Sequence, residues 1–398
     1  MAIKNLVYAL VAKLTPLKRD TWVFSSFNGD YSDSPRAISE ELHKQEPSAR
    51  IVWVAKPTAD LPDYVERVAP NTLQAECAKR SANILIDNVW ADMGFSSDSD
   101  NSKFAKKMKM MLRLRKKKGQ RAYTTWHGLP LKQIGRDQIG NQYTTFLCNK
   151  LTMFVNSAYE EKIMRHVSFE KVNMIRLGMP RNDALFDAQR GLEIKNKLTI
   201  SPDKKIILFA PTFRNDGKDV TGKNIQRSGL DQMNELNLDA MFQALSDKFG
   251  GEWVFICRFH YFVSSMVNWE ELDRKYPGKF INGNVLPDMA DYLACTDILI
   301  TDASSCMFDF ALTKKPCFIY FPDLENYQNK ERGFYVPIES LPFPVSTSSD
   351  EFVRSIRNFD NSKYESEVNK MIDEFEFVDD GKAAERIIEY IKKDSQNA

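Results

Sequence analysis

Four apolar runs in this 398-residue chain each end in side chains able to handle a proton or a phosphate. Tyr123-Thr124-Thr125-Trp126 reads as a strand that delivers His127 to a turn, because Gly128 and Pro130 stop a regular element there. A lone histidine in such a place is more often structural than reactive. Ile298-Leu299-Ile300 reads as a buried strand that stops at Thr301-Asp302. Ser304 and Ser305 follow, then a helix-period run through Met307, Phe308, Phe310, Ala311 and Leu312, then a second strand, Cys317 to Phe321, entered through Pro316. That is a βαβ unit, whose ligand site lies beyond the strand's carboxyl end. A helix start there offers N–H groups, a positive dipole end and two hydroxyls, all suited to a phosphate. Asp302 or Ser304 acting only as a helix cap is the competing reading. Ile206 to Phe209 runs into APTFR and presents Thr212 and Arg214, and Trp253 to Cys257 releases Arg258 and His260.

The elements that must carry these groups alternate strand and helix through both halves of the chain. Thr21 to Phe24, Ile51 to Val54, Ile84 to Ile86, Phe154 to Asn156 and Val172 to Ile175 read as further strands, with helices near 72–81, 232–249 and 380–393. Ser34 reads as an N-cap with Pro35 at the first helical position. The polar stretch around 187–204 is the best domain boundary, and Lys218 to Leu230 reads as a polar loop. The economical architecture is α/β: two Rossmann-like domains facing across a cleft, over 1–190 and 191–398. No GxGxxG follows a strand and there is no Walker A lysine loop, which argues against dinucleotide binding and ATP chemistry.

The formal charge is only +1, yet residues 103–121 carry ten Lys or Arg and no acid, leaving 45 basic against 54 acidic residues elsewhere. Such asymmetry favours a localised anionic partner and no general binding of nucleic acid. Phe104, Met108, Met111 and Leu112 share a helical stripe within this segment. An interfacial helix on an anionic membrane surface is the favoured reading. A groove for a polyanionic acceptor and a plain solvated helix compete with it. No apolar run reaches the roughly 18 residues that span a bilayer. Ile3, Leu6, Val7, Leu10, Val11 and Leu14 line one helical face at the N-terminus, for docking on the core or resting on a membrane; a cleaved signal peptide fits poorly. The six cysteines form no CxxC pair and the four histidines no cluster, so buried thiols in a reducing compartment are expected and a metal site is not.

Several of these strings together resemble the CDP-glycerol glycerophosphotransferases that build teichoic acids. TDASSCMFDFALTKKP is similar to the family's TDYSS-x-x-FDF…KP, SSFNGDYSDSPRAI to SF-x-G…YSD-x-P-x-AI, and LGMPRND to G-x-PRND. TWHGLPLK resembles WHGTPLK-x-x-G with Leu129 in place of Thr. APTFR resembles APT-x-R, and RFHYF resembles RPHP with Phe259 and Tyr261 in place of its prolines. The resemblance spans roughly residues 21–340.

It implies a GT-B arrangement, with the acceptor side in the N-terminal domain and the nucleotide side in the C-terminal one. It also implies attack of an acceptor hydroxyl on the β-phosphorus of CDP-glycerol, with CMP leaving. His127 and His260 are then the catalytic candidates, His127 as the base. Thr212, Arg214, Arg258, Thr301, Asp302, Ser304 and Ser305 are donor and phosphate candidates. Asn28, Gly29, Asp33 and Arg181 are acceptor-side candidates, while Asn182 or Asp183 caps the helix that follows. Glu325, Asn326 and Arg332 are weaker nucleotide candidates. No metal and no cofactor is expected, since cationic groups and a helix start can take the electrostatic role. The expected acceptor is a glycerol-phosphate polymer, a lipid-linked carrier or a saccharide, for a teichoic acid or a capsule, at the cytoplasmic face of the cell membrane. A ribitol-phosphate transferase and a nucleotide-sugar glycosyltransferase of the same fold remain alternatives, and an inactive membrane adaptor a weaker one.

Overall fold

The computed structural model describes residues 14–27, 29–89, 117–137, 151–167, 169–212, 228–259, 261–330 and 333–396. These form two parallel sheets with helices between strands, grouped into two compact units. In the first sheet β1 (Lys18–Phe24), β2 (Arg50–Val54), β3 (Val65–Val68), β4 (Ala82–Asp87), β5 (Arg121–Thr124), β6 (Thr152–Val155) and β7 (Asn173–Arg176) lie in the order β3-β2-β1-β4-β5-β6-β7. In the second, β8 (Lys205–Ala210), β9 (Trp253–Cys257), β10 (Phe280–Asn282), β11 (Ile298–Thr301), β12 (Cys317–Tyr320) and β13 (Val345–Ser346) lie in the order β10-β9-β8-β11-β12-β13. Each unit is therefore Rossmann-like. The strand order reverses between β1 and β4 in one and between β8 and β11 in the other. At such a reversal the connections leave in opposite directions and open a crevice beyond the strand ends.

Helices cover both faces of these sheets, so the central strands are apolar throughout. All five residues of β9 are buried, as are all four of β11 and β12. Three strands have no counterpart in the expected set: β3, β10 and β13. All three are sheet edges. An edge strand pairs on one side only and needs fewer apolar residues; Glu66 and Arg67 of β3 are exposed.

By contacts the first unit holds Met1–His127, Thr145–Asp183 and Phe377–Ala398, and the second Gly128–Thr144 and Ala184–Glu376. This differs from the linear division at 190, for three packing reasons. The C-terminal helix Ala383–Gln396 buries Ile387, Ile388 and Ile391 with Trp22, Phe24, Ile38, Leu42 and Trp53 of the first unit. Each such isoleucine contributes about 1.5–3 kcal/mol of burial. The helix Ala188–Lys197 sits on Met289–Cys295 so closely that a Cβ on Gly191 would lie 2.8 Å from the Ala294 carbonyl oxygen. Just after His127, the Gln133 N–H donates to the Gly333 carbonyl at 2.9 Å and the Tyr335 N–H to that of Leu131 at 2.9 Å, which ties this stretch to the second unit.

Residues 1–13 and 103–116 lie outside the described residues, and with them most of the expected N-terminal and basic amphipathic helices. The end of the basic segment, expected as helix to 121, is instead a turn into β5. The Gln120 side chain donates to the carbonyls of Lys79 and Ala82 at 2.8 and 2.7 Å, and Arg121 already pairs in the sheet. Among the described residues no helix is long and apolar enough to cross a membrane. Cys257, Cys295, Cys306 and Cys317 are buried thiols, and burial pushes Cys306 up to about 11 and Cys295 to about 12.

Candidate active site

At the first switch point the ends of β1, β4 and β5 carry a run of polar groups. The Phe27 N–H donates to Asn88 Oδ1 at 3.1 Å, tying the loop after β1 to the end of β4, and the Thr125 N–H donates to the Asp87 carbonyl at 3.0 Å. Past β5, Trp126 adopts a left-handed φ of 54° and turns His127 out of the sheet. The imidazole stacks on the Trp126 ring at 4.3 Å, lies 6.0 Å from the Phe27 ring and keeps an exposed edge. Its crowded surroundings disfavour a charge and hold its pKa below 6.5; Asp33 opposes that lowering and Arg181 reinforces it. At neutral pH the ring is therefore uncharged and able to accept a proton. Leu129, where the related motif has Thr, is fully buried, so its side chain is part of a core.

Asp33 and Arg181 form a buried ion pair, Oδ2 to guanidinium 3.0 Å. Asp33 and Arg181 are thus brought together, and theirs are the charges that bear on the His127 ring. The helix Asp33–Gln45 starts ahead of the expected cap: Ser32 takes the N-cap position, and the Ser34 hydroxyl instead accepts the Arg181 N–H at 3.4 Å. Gly29 is explained by packing. Its φ is 89°, and a Cβ there would lie 2.9 Å from the Lys56 backbone nitrogen. Asn28 lies outside the described residues. Asp183 does cap a helix, but not the next one. Its two carboxylate oxygens accept the Ala383 and Ala384 N–H groups at 2.9 and 2.8 Å, while Asp187 caps the helix that follows. Asn182 donates to Asp379 at 3.3 Å.

In the second unit the ends of β8 and β11 meet through Asp302, which is fully buried. Its Oδ1 accepts the Thr212 and Ala303 N–H groups at 2.8 and 2.6 Å, and its Oδ2 accepts from the Gln232 side chain at 3.2 Å. The Thr301 hydroxyl donates to the Ala210 carbonyl at 2.6 Å. Thr301 and Asp302 were expected to contact the donor; their side chains instead lock two strand ends together. Arg258 is likewise engaged. Its guanidinium donates to the carbonyls of Gly283, Leu286 and Pro287 at 2.7, 2.9 and 2.7 Å, and lies 4.8 Å above the Tyr292 ring. It shapes the loop beyond β10 where a diphosphate contact was expected.

Ser304 and Ser305 differ from these. Both are partly exposed and precede the helix Cys306–Ala311, whose six residues are all buried. Ser305 stands at the N-cap but its side chain makes no cap hydrogen bond, and Ser304 accepts only a long one, 3.5 Å, from the Cys306 N–H. Capping therefore does not account for this pair. Arg214, His260 and Arg332 lie outside the described residues, and Glu325 and Asn326 are exposed on the helix Leu324–Lys330. Among the described residues no three His, Cys, Asp or Glu side chains are grouped to hold a metal ion.

Two polar residues at strand ends have no counterpart among the expected ones. Asn88 and Asn156 follow β4 and β6 and are fully buried; the Asn88 amide nitrogen and both polar side-chain atoms of Asn156 find no partner among the described residues. The only sequence signal was an asparagine directly after an apolar run, which a turn explains equally well.

The family model for CDP-glycerol:poly(glycerophosphate) glycerophosphotransferase matches residues 6–393. A teichoic acid poly(glycerol phosphate) polymerase of Staphylococcus epidermidis is 30% identical over 409 residues, covering 98% of this chain and 52% of the relative. The chain thus spans about half the length of that protein. A Bacillus spizizenii protein of the same description is 29% identical over 407 residues, covering 97% and 95% of the two chains. Among solved structures, a variant of the wall teichoic acid polymerase TagF soaked with CDPG superposes with a TM-score of 0.79 at 28% identity, covering 100% of this chain and 94% of that one.

Proposed function

Because the chain belongs to the CDP-glycerol:poly(glycerophosphate) glycerophosphotransferase family, we propose that it transfers glycerol phosphate from CDP-glycerol to an acceptor hydroxyl in the synthesis of a teichoic-acid-like polymer. The acceptor oxygen attacks the β-phosphorus. The bond from that phosphorus to the bridging oxygen breaks, and CMP leaves with the oxygen. The hydroxyl proton passes to His127, whose ring is neutral at the pH of the reaction and has an exposed edge. Ser304 and Ser305, partly exposed at the start of their helix, bind the donor's phosphates through their hydroxyls. Arg214 and His260 add charge and hydrogen bonds to the same phosphates. Thr301, Asp302 and Arg258 act as scaffold, since the bonds described above occupy their side chains, while Thr212, held there through its backbone N–H, remains a donor contact.

The observation that carries this reading is the placement of His127 and the Ser304–Ser305 pair past strand ends beside the two switch points, within a family match that covers both sheets. A glycerol-phosphate chain, primed on a lipid or saccharide carrier, is the acceptor. The reaction needs no metal or other cofactor. The basic segment that begins at residue 103 and ends before β5 brings the protein to the anionic cytoplasmic face of the membrane by charge and apolar insertion.

The test is CMP release by the purified protein with CDP-glycerol, CDP-ribitol and UDP-glucose supplied in parallel, with and without EDTA, in the presence of a glycerol-phosphate acceptor. CDP-glycerol should be turned over fastest, and EDTA should leave the rate unchanged. Turnover confined to CDP-ribitol or UDP-glucose would overturn the donor assignment.

A further inference from the structure

The loop after β1 holds an apolar ring in the open beside His127. Phe27 is 37% exposed, and its ring centroid lies 6.0 Å from that of the imidazole at a tilt of 47°. A single exposed phenylalanine is ordinary on a protein surface. This one is fixed in place. Its φ is 41°, in the left-handed region that side chains rarely adopt, and Trp126, stacked on the same imidazole at 4.3 Å, has a φ of 54°. Such strain persists only where surrounding contacts hold it, and it gathers at functional positions. At Phe27 those contacts are visible. Its N–H donates to Oδ1 of the fully buried Asn88 at 3.1 Å, and the Ser25 N–H before it donates to the Ile86 carbonyl at 3.1 Å. Just past it, the Gly29 and Asp30 N–H groups both donate to the Ser26 carbonyl, at 2.9 and 3.2 Å. The loop is thus closed on itself and tied to the end of β4. The ring that these bonds hold is nevertheless left open to solvent.

We propose that Phe27 binds the acceptor: its ring receives the carbon skeleton of the terminal glycerol unit and so sets that unit's hydroxyl at His127, with Asn88 as the positioning residue that holds the ring. This rests on the transfer reaction proposed above and on His127 facing the acceptor. A glycerol-phosphate chain alternates C–H-rich glycerol with charged phosphate. The face of an aromatic ring is the negative part of its quadrupole, so it accepts C–H groups and disfavours phosphate. Phe27 therefore fixes the register of the chain end. The carbons lie on the ring, the hydroxyl at the exposed edge of the imidazole, and the last phosphate beyond both. Because the ring is already immobilised, binding costs little side-chain freedom. Water, the competing nucleophile, has no carbon to place there and gains nothing from the ring. Phe27 thus favours transfer over hydrolysis. In both reactions the attacking oxygen bonds to the β-phosphorus, CMP leaves with the bridging oxygen and the proton passes to His127; only with water is free glycerol phosphate released.

The experiment supplies the full-length protein with CDP-glycerol and a synthetic glycerol-phosphate trimer, and measures transfer to the trimer beside release of free glycerol phosphate. Phe27→Ala should raise the KM for the trimer about tenfold, with the KM for CDP-glycerol within about twofold of the parent. At low trimer the ratio of transfer to hydrolysis should fall about tenfold with it. Phe27→Tyr keeps the ring and should stay within about twofold of the parent in both readouts. Asn88→Ala frees the loop and should lower the same ratio, while the double variant F27A/N88A should be no worse than F27A, because both act through one ring. Asn88 is buried and its variant risks unfolding; the Phe27 variants alter an exposed ring and decide the matter alone. Equal losses of transfer and hydrolysis in Phe27→Ala would overturn the proposal and leave the ring as a support of the His127 turn. A raised KM for CDP-glycerol with an unchanged KM for the trimer would overturn it as well, moving the ring to the donor. An Asn88→Ala effect that simply adds to that of Phe27→Ala would remove Asn88 from the account. Absence of CMP release from the parent would instead overturn the reaction on which the inference rests.

Discussion

The two switch points are built on the same topology and equipped in opposite ways. In the first unit a strained turn presents His127 past β5, Asp33 and Arg181 form a buried ion pair, and two buried asparagines, Asn88 and Asn156, keep polar atoms without partners among the described residues. In the second, Asp302, Thr301 and Arg258 spend their hydrogen bonds on backbone groups and, for Asp302, on the Gln232 side chain as well, while two serine hydroxyls stand partly exposed at a helix start. The first arrangement is expensive: each left-handed non-glycine residue costs about 1–3 kcal/mol. The second is rigid and relaxed. The contrast fits a division of labour. A group that changes charge during the reaction needs its surroundings tuned, whereas a phosphate that is already charged needs only donors that stay in place.

The largest break in this comparison comes from His127→Ala. Loss of a general base lowers turnover by a factor of about 10²–10⁴, to be read as single-turnover rates at saturating acceptor. In the parent protein the same rate should fall on acidification with a midpoint below pH 6.5, because the crowded surroundings of the ring hold the His127 pKa below its ordinary value and the neutral form is lost only under that pH. Near-normal chemistry in His127→Ala would remove the histidine from the mechanism.

A second change unsettles the first unit without touching the chemistry. Asp183→Ala strips the acceptors from two N–H groups at the start of the C-terminal helix, so the protein should lose about 2–3 kcal/mol of stability in denaturant melts. Unchanged stability would mean that this helix is held by its isoleucines alone.

Arg258→Lys sharpens the comparison from the other side. A lysine cannot reach three carbonyls with one planar fork, so the loop 283–287 loosens. The KM for the donor should rise about tenfold with kcat nearly unchanged, the signature of lost ground-state organisation. A fall in kcat at constant KM would return Arg258 to the reacting phosphate.

The sheets were legible because their central strands are unbroken apolar runs, such as Ile206 to Phe209 and Ile298 to Ile300, and because each polar candidate follows one directly. What stayed hidden was the destination of side chains whose partners are remote in sequence. Asp302 bonds a backbone N–H 90 residues earlier, Arg258 takes carbonyls 25 to 29 residues later, and Asp183 caps a helix 200 residues on. Acceptors of this kind are backbone atoms, which every residue carries, so no residue type marks them. The amphipathic segment near 380–393 is different: its apolar face suits packing back across the domain boundary, and residues 377–398 do join the first unit, although the pattern does not say against which sheet.

The division of labour is tested most directly by titrating CDP-glycerol calorimetrically into His127→Ala and into the double variant S304A/S305A. Each lost hydroxyl contact to a phosphate is worth about 0.5–1.5 kcal/mol, so the serine variant should bind the donor roughly 5- to 150-fold more weakly, while His127→Ala binds it as the parent does. The reverse result, with full affinity in the serine variant and a weakened donor complex in His127→Ala, would contradict the assignment of donor binding to the second unit and proton transfer to the first.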